Sequence, residues 1–198
     1  PLGRKVAEED ICEADVVIYV ISRISGEGKD RRKVKGDYYL SEREEEDLRY
    51  LAEMNKPVIL ILNAGGPVEQ TDNIKGILNI SQLGQEGGDA LADVLLGKEV
   101  PGGKLTTTWA RRYEDYPASE EYGYLNGNLE KEKYKEGIYV GYRYFDSFDK
   151  KVMFPFGFGL SYTMFEMKCR SINMEESKIR AEVQVTNTGN EYAGKEVV

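Results

Sequence analysis

Histidine is absent from all 198 positions of the sequence, and its absence removes several kinds of active site. Within this chain, no Ser-His-Asp or Cys-His arrangement can activate a nucleophile. The usual zinc sites, which depend on imidazole ligands, are excluded as well. Any proton transfer must therefore use carboxylates, tyrosine or lysine. The sequence predicts neither a metal site nor a cofactor.

Cysteine, net positive charge and long apolar stretches are also scarce. The two cysteines, Cys12 and Cys169, are far apart, so the sequence predicts no disulfide framework and fits a reducing, cytoplasmic location. The net charge of −8 argues against nucleic acid or an anionic membrane as a partner. No run approaches the roughly 20 apolar residues of a membrane span, and residues 1–10 are too polar for a signal peptide. We therefore expect neither nucleic acid nor a membrane as a partner.

The chain is organised around a loop that follows an apolar strand. Residues 16–21, V-V-I-Y-V-I, are rich in β-branched side chains and too short for a helix, so they predict a buried strand. No regular pattern resumes until Ser41, although strand-to-helix connections usually take about 2–6 residues. Residues 25–28, S-G-E-G, place Glu27 between two glycines. Long loops in compact domains are often functional, but a bare G-E-G is also typical of a flexible surface turn.

A helix and a second strand complete a βαβ unit after this loop. Ser41, followed three residues later by Glu44, forms a capping box that predicts the start of a helix. Residues 58–62, V-I-L-I-L, are continuously apolar, as in a parallel strand covered on both faces. Ligands of open parallel sheets bind beyond the carboxyl ends of the strands. Because Glu27 and the N-A-G-G-P turn at residues 63–67 both follow such ends, their positions favour a functional site there.

The elements that follow first continue the α/β pattern and then depart from it. Residues 74–80 predict a third strand, and residues 84–97 predict a glycine-rich turn that opens a helix. We interpret this turn as structural, because it lacks the G-x-G-x-x-G and G-K-[ST] patterns of phosphate-binding loops. From residue 165 onwards, apolar and polar residues alternate in residues 165–169 and 179–188. Such alternation is typical of half-buried antiparallel strands.

Residues 111–135 have little periodicity and predict a long loop that is rich in tyrosine. The tyrosines in it are Tyr113, Tyr116, Tyr122, Tyr124 and Tyr134. Aromatic faces can stack on sugar rings, but tyrosines also serve to pack a loop against a sheet. We favour packing and leave the sugar-stacking alternative open.

Several stretches of the sequence resemble glycoside hydrolase family 3, the β-glucosidases and their relatives. Residues 18–31, I-Y-V-I-S-R-I-S-G-E-G-K-D-R, are similar to the acid/base loop of that family. Residues 134–146, YKEGIYVGYRYFD, and residues 154–163, FPFGFGLSYT, resemble two of its long motifs almost residue for residue. The chain departs from the family pattern at Lys29, where an aromatic residue is common, and at Thr106, which replaces a usual proline.

The resemblance implies roles for residues of the long loop. Glu27 corresponds to the catalytic proton donor of the family, the general acid/base. In the same loop, Ser25, Asp30 and Arg31 are candidates for binding the substrate. The family assigns no catalytic role to the position of Glu136, which we therefore interpret as structural.

The implied fold is α/β, followed by a short all-β part. We expect residues 1–163 to form a partial α/β sandwich domain, with a mainly parallel sheet flanked by helices and with upstream βα units missing. Residues 164–198 are expected to begin a fibronectin type III-like domain, an incomplete all-β immunoglobulin-like segment. About seven strands close such a sandwich, and this segment holds two or three. Its open strand edges favour self-association.

The implied activity is retaining hydrolysis of terminal, non-reducing β-glycosidic bonds, with a β-glucoside or β-linked oligosaccharide as substrate. In the family the nucleophile lies in a separate barrel domain, which would be part of the same parent chain before or after this segment. We therefore interpret the sequence as a fragment that supplies the acid/base carboxylate and is inactive alone.

Two other functions remain open at this point. The scaffold could serve as a non-catalytic carbohydrate-binding or interaction module, although such a module has no need of a proton donor. A phosphorylase, in which an anion replaces water, is disfavoured by Glu27, because related phosphorolytic enzymes use a histidine in the barrel.

Overall fold

A computed structural model of the chain describes residues 8–24, 31–69, 74, 76–122, 130–131 and 133–189. The helices are α1 (Glu8–Glu13), α2 (Glu42–Glu53), α3 (Gly87–Leu95) and α4 (Tyr142–Ser147), with a 3-10 turn at Tyr113–Asp115. The strands are β1 (Val17–Ser22), β2 (Val58–Asn63), β3 (Gly76–Asn79), β4 (Trp109–Ala110), β5 (Val152–Phe154), β6 (Phe165–Glu175) and β7 (Lys178–Asn187). None of the helices in these ranges is long and apolar enough to cross a membrane.

The chain divides into two compact units, which we describe separately. The first unit contains residues 1–87 and 110–137, and the second contains residues 88–109 and 138–198. The mixed α/β class is confirmed, because the first unit holds a parallel sheet with helices and the second ends in antiparallel strands. The predicted division into domains at residues 163 and 164 stays a prediction.

The first unit is built on a three-stranded parallel sheet in the order β1-β2-β3. β1 pairs with β2 from Val17 opposite Val58 to Ser22 opposite Asn63, and β2 pairs with β3. The parallel βαβ unit predicted from the sequence is thus confirmed. Because the strands run in the same direction, β1 and β2 end side by side, and Arg23 N donates to Asn63 O at 3.0 Å just beyond them.

The two main strands differ in how they are covered. Consecutive residues of β2, Leu60, Ile61 and Leu62, are at most 2% exposed, so this strand is buried on both faces as predicted. The prediction that β1 is a buried strand is wrong for one of its faces, because Ile18 and Val20 are about half exposed, at 49% and 54%. Alternate side chains of a strand point to opposite faces of the sheet, and within the described residues no element covers the outer face of β1.

Helix α2 begins at the predicted capping box. The Ser41 hydroxyl accepts a hydrogen bond from Glu44 N at 3.3 Å, and the Glu44 carboxylate accepts one from Ser41 N at 2.8 Å. These two bonds satisfy amide groups that the first turn of a helix leaves without partners. The helix buries Leu48 and Leu51, which are spaced three apart and share one face.

In the second unit, two glycine-containing stretches pack closely together. Leu105 N donates to Phe158 O at 2.8 Å, and Gly157 N donates to Leu105 O at 2.8 Å. A Cβ atom added to Gly159 would lie 2.2 Å from Gly103 O, closer than any real contact. The motif at residues 154–163 therefore requires glycine at position 159, because the backbone of residue 103 fills the place of a side chain.

The second unit ends in the antiparallel hairpin of β6 and β7. The pairing runs from Phe165 opposite Asn187 to Glu175 opposite Lys178, with a register shift between Cys169 and Ser171. The predicted strands are confirmed, and β6 is longer than the alternating pattern at residues 165–169 indicated. The prediction that they are half-buried is wrong, because every residue of β7 is exposed. The apolar residues of the hairpin have no second layer against them within the described part of the chain.

We expect the amides of β7 to exchange with solvent much faster than those of β2 in the 198-residue chain. An isolated two-stranded hairpin is marginally stable in water, and among the described strands β7 pairs with β6 alone. Hydrogen exchange followed by mass spectrometry would measure the difference, with residues 60–62 as the internal reference. Exchange of β7 as slow as that of β2, in a monomeric sample, would contradict this expectation.

Candidate functional site

The candidate site lies at the carboxyl edge of the parallel sheet, where the predicted acid/base loop leaves β1. The segment at residues 25–30, which contains Ser25, Glu27 and Asp30, lies outside the described residues. The prediction that Glu27 lies in an exposed loop therefore stays a prediction. The residues on either side are described: Arg23 and Ile24 follow β1 directly, and Arg31 resumes the chain after the segment.

Arg23 is buried at this edge and makes the largest set of contacts there. Its side chain is 6% exposed and forms a two-pronged ion pair with Glu44, with Nη1–Oε1 at 2.8 Å and Nη2–Oε2 at 2.7 Å. Its Nε donates to Asp37 O at 2.7 Å, and its Nη1 also donates to Ser22 O at 2.9 Å. A buried charge is tolerated only when it is paired and hydrogen-bonded in this way.

The Glu44 carboxylate thus both caps helix α2 and pairs with Arg23. Burial of its carboxylate works to raise the pKa, but the hydrogen bonds from Arg23 and from the Ser41 amide outweigh burial and lower the pKa below its usual value. Glu44 is therefore ionised at neutral pH, and it neutralises the guanidinium of Arg23, the residue that follows β1.

Arg31, one of the predicted substrate-binding candidates, is held by Asp37. Its Nη2 donates to Asp37 O at 2.6 Å, and its Nε forms an ion pair with the Asp37 carboxylate. The same carboxylate accepts a hydrogen bond from Arg32 N at 2.8 Å. The Arg31 Nη1 atom is buried without a hydrogen-bond partner among the described residues, and it lies 3.8 Å from where a Cβ atom on Gly66 would stand. Arg31 therefore reaches the turn that follows β2.

The turn that carries Asp37 is itself fixed to the rest of the first unit. Tyr38 is 8% exposed, and its carbonyl accepts a hydrogen bond from Glu69 N at 2.9 Å. Its ring meets the ring of Tyr113 edge to face, with centroids 5.0 Å apart. Lys33 forms an ion pair with Glu114 and lies 5.0 Å above the Tyr113 ring. The backbone around Asp37 is thus joined to both the loop after β2 and the 3-10 turn.

The tyrosines of the predicted long loop fall into two groups. Tyr113 is buried, and the Tyr116 hydroxyl accepts a hydrogen bond from Ala110 N at 3.1 Å, so both pack as we favoured. Tyr122 is 48% exposed and Tyr134 is 91% exposed, so these two do not pack the loop against the sheet. Tyr124 lies outside the described residues.

Sequence reasoning placed Arg31 at this site but missed Arg23 and Asp37. Arg23 could have been suspected, because an arginine that ends an apolar strand needs a partner and Glu44 was already identified at the helix start. Asp37 gave no signal, since G-D in a loop is an ordinary turn sequence. Together these residues form a network of ion pairs and hydrogen bonds at the carboxyl edge, while the carboxylate expected to transfer a proton is Glu27.

Comparisons with known proteins agree with the resemblance found in the sequence. Residues 3–142 match the model of the glycosyl hydrolase family 3 C-terminal domain. β-Glucosidase A of Butyrivibrio fibrisolvens is 37% identical over 93% of this chain, and a β-glucosidase of Kluyveromyces marxianus is 38% identical over 87%. The structure of β-glucosidase 3B from Thermotoga neapolitana in complex with glucose is 43% identical over 93% of the chain, with a TM-score of 0.82.

The chain spans only part of each of these proteins. It covers 27% of the length of the Butyrivibrio protein, 20% of the Kluyveromyces protein and 27% of the Thermotoga chain. The matched region includes the segment that carries Glu27 as well as the strands and helix that flank it. This chain belongs to glycosyl hydrolase family 3 and carries the C-terminal domain of that family.

Proposed function

We propose that this chain supplies the acid/base carboxylate, Glu27, of a retaining β-glycosidase whose nucleophile lies in a barrel domain of the same protein. The observation that carries the proposal is the position of the residues on both sides of Glu27. Arg23 and Arg31 lie at the carboxyl edge of the parallel sheet, where sheets of this kind bind their ligands. The segment between them contains Glu27 as its only glutamate.

The chemistry requires two carboxylates with different tasks. The nucleophile attacks the anomeric carbon of the sugar while Glu27 gives its proton to the departing oxygen, and Glu27 then removes a proton from the attacking water. Retention of configuration needs the two carboxyl groups about 5–5.5 Å apart. One carboxylate cannot perform both steps, so the chain depends on the rest of the protein for activity.

A β-glucoside or a β-linked oligosaccharide with a terminal glucose is the substrate that the relatives support. The curated proteins and solved structures reported above are named β-glucosidases, and one of the structures contains glucose. In this proposal Ser25 and Asp30 contact the sugar or its leaving group. Arg31 has two of its nitrogens engaged by Asp37, so its first task is to hold the segment in place.

The proposed domain organisation also treats this chain as one part of a larger enzyme. Residues 1–163 form the part of the α/β domain that carries the acid/base segment, and residues 164–198 begin a fibronectin type III-like domain with β6 and β7. The exposed apolar residues of this hairpin are then the inner face of a sandwich that further strands complete. Outside its own protein, the same open edges favour self-association.

The test compares the full-length protein with the 198-residue chain in one assay. Hydrolysis of an aryl β-glucoside is followed by proton NMR, which distinguishes the two anomers of the released glucose before they interconvert. We expect the full-length protein to release β-glucose first, and the 198-residue chain to show no turnover above buffer. Release of α-glucose first would contradict retention, and turnover by the short chain would contradict a nucleophile that lies elsewhere.

A further inference from the structure

Asp37 binds the chain on both sides of the segment that carries Glu27. Its backbone carbonyl accepts hydrogen bonds from Arg23 Nε at 2.7 Å and from Arg31 Nη2 at 2.6 Å. Arg23 lies two residues before the segment at residues 25–30, and Arg31 directly follows it. One oxygen atom therefore accepts hydrogen bonds from Arg23 and from Arg31, the described residues on either side of the segment.

The carboxylate of Asp37 strengthens this arrangement on one side. One of its oxygens pairs with Arg31 Nε, and the other accepts from Arg32 N at 2.8 Å. Burial works to raise the pKa of the carboxyl, but the hydrogen bonds from Arg31 and the Arg32 amide outweigh it and hold the pKa below its usual value. The group is thus ionised at neutral pH, and its hydrogen bonds to Arg31 are of the strong, charge-assisted kind.

The position of Asp37 is in turn fixed by its neighbours. Asp37 N donates to Val34 O at 3.2 Å, and Tyr38 N donates to Arg32 O at 3.2 Å, so Asp37 sits in a closed turn. Leu40, which is 1% exposed, donates its amide to the Glu69 carboxylate at 3.2 Å. The turn that contains Asp37 is therefore followed directly by a buried residue rather than by solvent-exposed chain.

We propose that Asp37 is a positioning residue for the proton transfer: its carboxylate, which binds Arg31 Nε and Arg32 N, fixes the point at which the chain resumes after residues 25–30, and through it the approach of Glu27 to the glycosidic oxygen. The inference rests on the proposed function of Glu27. A general acid must come within about 2.6–3.2 Å of the atom that it protonates. A displacement of about 1 Å can cost roughly 100-fold in rate.

The variant Asp37→Asn tests this role with little change in size. The carboxylate receives donors on both oxygens, whereas asparagine has one acceptor oxygen and turns its amide N–H groups towards a donor. We expect kcat of the full-length protein to fall roughly 10- to 100-fold on a β-glucoside with a poor leaving group, with KM nearly unchanged. Cleavage of an activated aryl glucoside, which needs no proton, should be far less affected in single-turnover measurements.

The decisive measurement is a double-mutant cycle with Glu27→Gln. If Asp37 acts through Glu27, adding Asp37→Asn to the Glu27→Gln variant should reduce the rate by no more than about twofold, because no proton donor remains to be positioned. Glu45→Gln is the matched control, since Glu45 forms an exposed ion pair with Lys35 at 3.0 Å eight residues further along. We expect this control to behave like wild type in both backgrounds.

Two results would overturn the proposal. Equal losses from Asp37→Asn with and without Glu27 would mean that Asp37 is merely structural, and so would equal losses on poor and activated leaving groups. If Asp37→Asn does not fold, Arg31→Lys replaces it in the cycle, because lysine keeps the charge but lacks the rigid, planar set of donors with which arginine binds the carbonyl and the carboxylate. A failure of the proposed function itself is recognised separately, because Glu27→Gln alone would then slow all substrates alike.

Discussion

Replacing Glu27 with glutamine in the full-length protein is expected to slow the hydrolysis of a β-glucoside with a poor leaving group by about 10²–10⁴-fold. Glutamine keeps the size of the side chain but has no proton to give to the departing oxygen. An alkyl alcohol departs badly as an alkoxide, so its release depends on that proton. Steady-state rates on alkyl β-glucosides of graded leaving-group pKa would measure the loss.

The leaving group separates the two steps of the reaction. An activated aryl glucoside departs without protonation, so formation of the glycosyl-enzyme should survive in Glu27→Gln far better than with an alkyl glucoside. The second step, in which water attacks, would still lack its base and would become rate-limiting. A burst of released phenol followed by a slow steady state is therefore expected.

Azide identifies the missing base in the second step. As an anion it attacks without losing a proton, so added azide should restore turnover of the aryl glucoside and yield a β-glucosyl azide. Glu136→Gln is the matched control, since this carboxylate also precedes a glycine and we assign it no catalytic role. A loss in Glu27→Gln that is the same for all leaving groups and insensitive to azide would refute the assignment.

The second large effect concerns the buried ion pair of Arg23 and Glu44. We expect Glu44→Gln to lower the free energy of unfolding of the first unit by about 3 kcal/mol, because it leaves the Arg23 charge buried without compensation. Glutamine can still serve in the capping box, so the variant removes the charge and keeps the helix cap. Native-state hydrogen exchange of the β2 amides, which are in the core of this unit, would measure the change.

The difference in stability between wild type and Glu44→Gln is expected to depend on pH. The pKa of Glu44 in the folded protein lies below its usual value of 4.5, so its contribution to stability is complete above that value and is lost as the pH falls through the folded pKa. The difference in stability between wild type and Glu44→Gln should therefore be constant near neutral pH and shrink in acid. Glu45→Gln, which removes an exposed pair, should leave the stability close to that of wild type. A loss as large in this control would mean that burial of the charge is not the cause.

The sequence predicted the elements that depend on local patterns. The apolar runs of β1 and β2, the capping box of Ser41 and Glu44, and the alternation in β6 and β7 each have a short-range cause in side-chain size, hydrogen bonding or period. The family of the chain also followed from contiguous motifs. These features required no knowledge of which distant residues meet.

The burial of β1 and the hydrogen-bond network around the site could not be predicted from local sequence patterns. The apolar run of β1 looks the same whether one face is covered or both, so the exposure of Ile18 and Val20 depends on neighbours that the run does not specify. The contact of Arg23 with Asp37 involves a backbone carbonyl, and every residue has one. A sequence therefore identifies Arg23 as a charge that needs a partner without identifying which atom binds it.

The binding of Arg23 and Arg31 to one carbonyl has a consequence for how the sequence between them can vary. Arg23 and Arg31 are already joined through this carbonyl, and doubling the length of a chain between two joined points costs only about 0.6 kcal/mol in closure entropy. Insertions and substitutions between positions 24 and 30 should therefore change the stability of the fold little, as long as Asp37 still binds both arginines. Natural selection can then reshape the surroundings of the proton donor, and with them the choice of leaving group, without rebuilding the sheet beneath.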